Sequence, residues 1–456
     1  MSLRTLTIWN DIMSIVILGG GSAGTSIALE LRKKDKDISI TIIESTMYNE
    51  YSPCSLPYVL SGEIPGFDNI FVMKDEDYAR ESISLMKNTR VKSIDANNNQ
   101  VIVEFDGKEQ VIEYEKLVYA LGSIPKKPPF DISDNANTVY LRTIDDAKKI
   151  HNIMENGKRI VIVGAGLIGT ELAYSSIMRG LDVTLIEYDD IILGSMLDNQ
   201  MSTRVKEYLE NLGIKVLTNT KITRADDKRV YTESGSYDYD ILALCHGLQP
   251  NIQLAVDAGI TTGNGIIVDD HFRTSIDNIY AAGDCIEMKR LHHNNNDCMM
   301  LGSIAYQSAM IIAANLLGGN DKYSPVMGAS ITRIGDIIIG STGITLREAR
   351  SKQMKCASMI IEGSTRAGYY PESKRLIVMM ISDLEYNLIG VQIIGGEDVA
   401  GRINMCSLAI THNIDIRVLS KVETVYNPAS APIHEPITVC ARMLSRKIEV
   451  MRNAAN

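Results

Sequence analysis

The side chain best placed for two-electron chemistry is Cys54, in the stretch Tyr51-Ser52-Pro53-Cys54-Ser55-Leu56-Pro57-Tyr58. A thiolate is both a nucleophile and a redox centre. Pro53 and Pro57 fit a helix start, where free backbone N–H groups would favour the anion. The expectation is therefore a lowered thiol pKa. The other cysteines stand at 245, 285, 298, 356, 406 and 440, and no pair has CxxC spacing. With no second sulfur beside Cys54, its oxidised form must be a sulfenic acid or a mixed disulfide with a small thiol. Cys245, Cys285, Cys406 and Cys440 lie in apolar stretches and read as small core residues. Cys298, after His292, His293 and a run of asparagines, reads as part of an exposed polar loop, and no metal site is expected.

Two further patterns could bring electrons to that sulfur. An apolar strand at 15–18 runs into Gly19-Gly20-Gly21-Ser22-Ala23-Gly24. A helix and a second strand follow, ending at Glu44. This is a βαβ unit with GxGxxG at its first turn and an acid at its far end. The glycines let backbone approach a pyrophosphate, the helix N-terminus stabilises its charge, and Glu44 can hold a ribose diol. The pattern returns at 159–163, in Gly164-Ala165-Gly166-Leu167-Ile168-Gly169, and ends at Glu187. An acid there repels a 2′-phosphate, so NADH is expected rather than NADPH. Glu171, just past the last glycine, could lie near the nicotinamide or be an exposed helix residue.

The connecting segments carry a resemblance. Residues 116–125 form a strand running into the Gly122 turn, and 243–251 end in Gly247-Leu248-Gln249-Pro250-Asn251. Ile279-Tyr280-Ala281-Ala282-Gly283-Asp284 follows, and then an apolar helix read as opening at Ala305. With both dinucleotide motifs in this order, the chain resembles the pyridine nucleotide–disulfide oxidoreductase superfamily over residues 13–450. The resemblance implies an α/β fold with two Rossmann-like domains and a C-terminal α+β dimerisation domain. It divides the chain into an FAD-binding domain at 13–122 and 250–322, an NAD-binding domain at 145–249 and a dimerisation domain at 323–456. It places Asp284 against the ribityl chain of FAD and aims the helix at Ala305 toward the flavin ring. Gly122 would belong to the flavin site as well.

Within that superfamily the lone cysteine points to the single-cysteine branch. Cys54-Ser55-Leu56-Pro57-Tyr58 is similar to the Cys-Gly-Leu-Pro-Tyr of coenzyme A-disulfide reductases. Tyr369-Tyr370-Pro371 and Tyr426-Asn427-Pro428 resemble two tail segments whose tyrosines, in those enzymes, reach the other subunit's cysteine. Either Tyr369 or Tyr370 is the counterpart, with the spacing to Tyr426 favouring Tyr369. The chain departs from the pattern at Ser55, at Ala429 and at His434-Glu435. The implied activity is FAD-dependent, NADH-oxidising reduction of a coenzyme A disulfide, persulfide or polysulfide, in a homodimer with coenzyme A among its ligands. The alternatives are an NADH oxidase or peroxidase working through a Cys54 sulfenic acid, and a redox-sensing flavoprotein of low turnover.

Composition sets the outer bounds. A chain of 456 residues suggests several domains, and 45% hydrophobic with 22% charged residues is ordinary for a globular protein. A net charge of −10 argues against a nucleic-acid partner. No apolar run is long enough for a membrane span. Residues 1–12 lack signal-peptide features and read as a dispensable extension. Scattered cysteines fit a reducing, cytoplasmic setting.

Overall fold

The computed structural model describes residues 13–292 and 296–455; the N-terminal extension at 1–12 and His293 lie outside the described residues. The first apolar run forms strand β1 (Ser14–Leu18), followed by helix α1 (Ser22–Lys34) and strand β2 (Ser39–Ile43). Beyond them lie a short helix, α2 (Leu56–Ser61), and strands β3 (Ser84–Met86) and β4 (Lys116–Tyr119). The second unit contains β5 (Thr138–Val139), β6 (Arg159–Val163), α3 (Leu167–Met178), β7 (Asp182–Ile186), β8 (Lys215–Leu217) and β9 (Ile241–Leu244). Strand β10 (Ile279–Ala281) and helix α4 (Gly302–Leu316) then return to the first unit.

Two parallel sheets result, ordered β10-β4-β1-β2-β3 and β5-β9-β6-β7-β8. Their central strands are almost wholly apolar because helices or other strands cover both faces. A hairpin turns at Asp106-Gly107, with both residues at positive φ, as a two-residue turn between right-twisted strands demands.

The C-terminal part is one antiparallel sheet of β11 (Ser330–Ile334), β12 (Ile337–Gly343), β13 (Cys356–Ser364), β14 (Arg375–Asp383) and β15 (Leu388–Gly395). Its order is β11-β12-β15-β14-β13, and helices α5 (Val399–Thr411) and α6 (Pro436–Ala455) pack on it.

One packing relation matters most for the site. Leu56, Val59 and Leu60 of α2 are nearly inaccessible. They belong to the same apolar cluster as Ile160, Leu172 and Leu185 of the second unit and Ile334 and Ile339 of the C-terminal sheet. Each such side chain contributes about 1.5–3 kcal/mol by leaving water. The cysteine-bearing segment therefore leaves the first sheet and docks on the second. Among the described residues no helix is long and apolar enough to cross a membrane.

Candidate functional site

The two glycine turns have one geometry. Gly19 (φ +103°) and Gly164 (φ +99°) adopt a conformation that disfavours a side chain, and a Cβ there would sit 2.4 and 2.5 Å from carbonyl oxygens of Ala120 and Cys245. A Cβ on Gly24 or Gly169 would lie 2.0 or 1.9 Å from the carbonyl oxygen of Gly19 or Gly164. By contrast, the Cβ positions of Gly21 and Gly166 face open space. Neither α1 nor α3 has a side-chain cap. Amides of the first turns, at Ser22 and Ala23 in one unit and Leu167 and Ile168 in the other, thus border that space. This cradle fits a dinucleotide pyrophosphate in each unit.

Each acid is fixed by backbone. Glu44 Oε2 accepts from Gly20 N–H at 2.9 Å and Oε1 from Thr46 N–H at 2.8 Å. Glu187 repeats this with Ala165 N–H at 2.6 Å and Asp189 N–H at 2.9 Å. A carboxylate has about four lone-pair sites, so both retain acceptors for a ribose diol. No arginine is bonded to Glu187 among the described residues.

Asp284 follows β10 in a short 3-10 turn and accepts a 2.8 Å bond from Ser123 Oγ, next to the Gly122 turn (φ +65°). Arg142 Nη2 stands 3.6 Å from the same carboxylate, and its Nε reaches Ser123 O. The reading at Ala305 needs correction. Helix α4 begins three residues earlier, at Gly302, and the Ala305 N–H already bonds Leu301 O. Ala305 is buried, so the free amides of this helix belong to its first turn instead. The start was misplaced because Leu301, the residue before the helix, supplies no capping side chain.

Cys54 sits in a 3-10 turn (Pro53–Ser55) just before α2. It is the sole exposed residue of the seven cysteines. Enough protein surrounds it, nevertheless, for burial to push the thiol up, aided by the charges of Glu171 and Asp284 and opposed by Arg142. The expected lowering is thus overturned for the protein alone: burial, seconded by two carboxylates from distant segments, outweighs a three-residue turn.

Glu171 is not an exposed helix residue. It is half-buried on α3, its Oε1 accepts a 2.6 Å bond from Thr332 Oγ1 of β11, and burial pushes its carboxyl up to about 7. On the same helix, Ser175 Oγ donates to Pro57 O at 2.8 Å and Arg179 Nε donates to Leu60 O at 2.6 Å. These contacts hold α2 against α3.

Tyr369 and Tyr426 are brought together, with hydroxyls 3.4 Å apart, and both rings are largely open to solvent. Tyr370 is half-buried, with the Arg366 guanidinium over its ring at 5.8 Å from the centroid. Of the remaining cysteines, Cys285, Cys406 and Cys440 are buried, and burial pushes each thiol up to about 12. Cys245 is half-buried and likewise pushed up to about 12. Cys298 is half-buried rather than exposed, and its thiol is pushed up to about 11. Among the described residues no cluster of His, Cys, Asp and Glu could hold a metal ion.

Sequence reasoning missed Arg142, Thr332 and Glu50, a buried carboxyl beside Ser22. It also missed His246, whose two ring nitrogens are buried without partners among the described residues. Only His246 left a trace, as a polar residue directly after an apolar strand.

The pyridine nucleotide-disulphide oxidoreductase family model matches residues 13–309, and the dimerisation domain of that family matches 331–435. An NADH oxidase of Methanocaldococcus jannaschii is 36% identical over 445 residues, 96% of this chain and 99% of that protein. An NAD(P)H sulfur oxidoreductase (CoA-dependent) of Pyrococcus furiosus is 29% identical, covering 94% of this chain and 98% of its own. Among solved structures, an NAD-dependent persulfide reductase from A. fulgidus superposes with a TM-score of 0.93 at 30% identity. That match covers 96% of this chain and 84% of that one.

Proposed function

Because the chain belongs to the pyridine nucleotide-disulphide oxidoreductase family, we propose that it is an FAD-dependent NAD(P)H oxidoreductase reducing a small thiol-derived acceptor through Cys54. The acceptor class is coenzyme A disulfide, coenzyme A persulfide or polysulfide. The observation that carries this reading is the solitary, exposed Cys54. An exposed thiol without a partner cysteine beside it forms its mixed disulfide with an external thiol.

FAD would be held by the Gly19, Gly21, Ser22, Ala23 and Gly24 turn, by Glu44 and by Gly122 and Asp284. When bound, it would supply hydride acceptance from a nicotinamide, which no side chain offers. NADH would occupy Gly164, Gly166, Leu167, Ile168 and Gly169, with Glu187 on its adenosine ribose and Glu171 further along the same helix. Tyr369 and Tyr426, exposed in one chain, suit a homodimer in which their hydroxyls face the cysteine of a second copy. There a phenol can donate a proton to a departing thiolate.

A second reading draws on the Methanocaldococcus jannaschii NADH oxidase: oxygen or peroxide as acceptor, with Cys54 passing through a sulfenic acid. Mass spectrometry of the unreduced protein separates the two. A reductant-sensitive coenzyme A adduct on Cys54 is expected. An unmodified or sulfenylated Cys54 with rapid NADH-dependent oxygen uptake would install the second reading. Cys54→Ser should lower acceptor reduction by about a thousandfold or more while NADH still bleaches the flavin; unchanged turnover would remove Cys54 from both readings and leave the low-turnover sensor.

A further inference from the structure

Helix α3 presents one stripe to the cysteine segment, at i, i+4 and i+8. Arg179 bonds Leu60 O, and Ser175, one turn earlier, bonds Pro57 O, one turn earlier on α2. One more turn back along α3 comes Glu171, and three residues back from Pro57 comes Cys54, in the turn that leads into α2. The electrostatics agree, since Cys54 and Tyr58 both feel the Glu171 charge. Thr332 closes the far side of the carboxyl with its 2.6 Å bond from β11.

We propose that Glu171, held by Thr332, is a positioning residue that gates Cys54 through its own charge: as a neutral acid it leaves the thiolate free to form, and as a carboxylate it opposes it. The inference rests on Cys54 being the working sulfur.

The groups around the pair are few. On the cysteine segment, Tyr58 is a phenol pushed up to about 12, chiefly by burial, and stays neutral near pH 7. Beyond α2, Glu63 is ion-paired with Arg333, which lies beside Thr332. Toward the flavin site, Asp284 opposes the thiolate and Arg142 favours it, and these two also face each other. Glu171 is the member whose carboxyl titrates near neutrality, at about 7. As pH rises through that value the carboxylate forms, and the thiolate must then form against it. Two ionisations are therefore expected in the reactivity of one sulfur.

The test is alkylation of Cys54 by iodoacetamide in FAD-loaded protein, freshly reduced and freed of reductant. The Cys54 peptide is followed by mass spectrometry between pH 5.5 and 9.5. Wild type should show a shallow rise spread over both ionisations. Glu171→Gln should give a single steep ionisation and an alkylation rate at pH 8 about three- to tenfold higher, as one pKa unit corresponds to tenfold. Thr332→Val removes a bond that favours the carboxylate, so its rates should rise about twofold around pH 7–8. A Glu171→Gln profile superposing on wild type overturns the gate, and where that variant does not retain FAD, an unshifted Thr332→Val profile does the same. Alkylation does not depend on the acceptor, so either failure leaves the Cys54→Ser assay to judge the function itself.

Discussion

Set side by side, the two dinucleotide units are nearly the same object: GGGSAGTSIA against GAGLIGTELA. The tight glycines make the same close approaches, and the acids close the same pair of backbone bonds. Even Thr25 and Thr170 match, each buried and bonded to a carbonyl of its own turn. The first clear divergence in charge is one residue later, where Ser26 corresponds to Glu171. Their surroundings differ accordingly. Helix α1 packs on α4, whereas α3 packs on α2 and β11 and so meets the cysteine segment. The binding turn tolerates little variation, and the residue just beyond it adapts each unit to its neighbours.

The largest expected effect comes from breaking each turn in isolation. Gly24→Ala and Gly169→Ala both drive a methyl into a backbone carbonyl. Overpacking of that kind costs about 1–3 kcal/mol or more, equivalent to about 10–100-fold in affinity. Gly24→Ala should leave the protein depleted of FAD. Gly169→Ala should keep its FAD and be reduced normally by dithionite, with the KM for NADH raised about 10–100-fold. Absorbance at 450 nm after desalting, with NADH titrations, reads both. Loss of flavin from Gly169→Ala would show that the units are not separable.

This symmetry was open to sequence reading because it is local: apolar runs bounded by glycine and ended by an acid announce a βαβ unit wherever they occur. The C-terminal sheet was less open. Strand β15 is buried at every position and interrupted by Gly390, so it shows no alternation, and β13 mixes Ser and Met among its isoleucines. The start of α4 was missed for want of a capping residue. At the site, the prolines beside Cys54 announced its turn, but the charges that govern it come from Glu171, Arg142 and Asp284, far apart in sequence. No spacing rule encodes such proximity, since it arises from how α2 docks on the second unit.

A smaller effect separates the two acids. Glu44 and Glu187 are bonded alike, yet only the second is expected to discriminate between cofactors, because FAD has no 2′-phosphorylated rival. Glu187→Gln should cost about tenfold in kcat/KM for NADH and narrow the preference over NADPH by about tenfold, as a like-charge contact disappears. Glu44→Gln should weaken FAD retention and leave the NADH to NADPH ratio unchanged. An unaltered ratio in Glu187→Gln would remove the specificity role from that carboxylate.

The last effect is on stability alone and concerns a carboxyl that each unit keeps against its usual charge. Glu50, 7% exposed and hydrogen-bonded to Ser22 of the first turn, is pushed up to about 7 by burial, as Glu171 is in the second unit. An unfolded glutamate titrates near 4.5, so between that value and 7 the folded protein binds more protons than the unfolded chain. Stability then falls as pH rises through this window, and the penalty is complete above it. Glutamine at position 50 mimics the neutral acid and escapes the penalty. Glu50→Gln should therefore match wild type near pH 4.5 in urea unfolding and exceed it at pH 8 by roughly 1–3 kcal/mol. Glu171→Gln should show the same sign and a similar size, because burial pushes its carboxyl up to the same value of about 7 and a glutamine oxygen can still accept the bond from Thr332. A stability difference that is the same at both pH values would mean that packing, not ionisation, separates the variants from wild type.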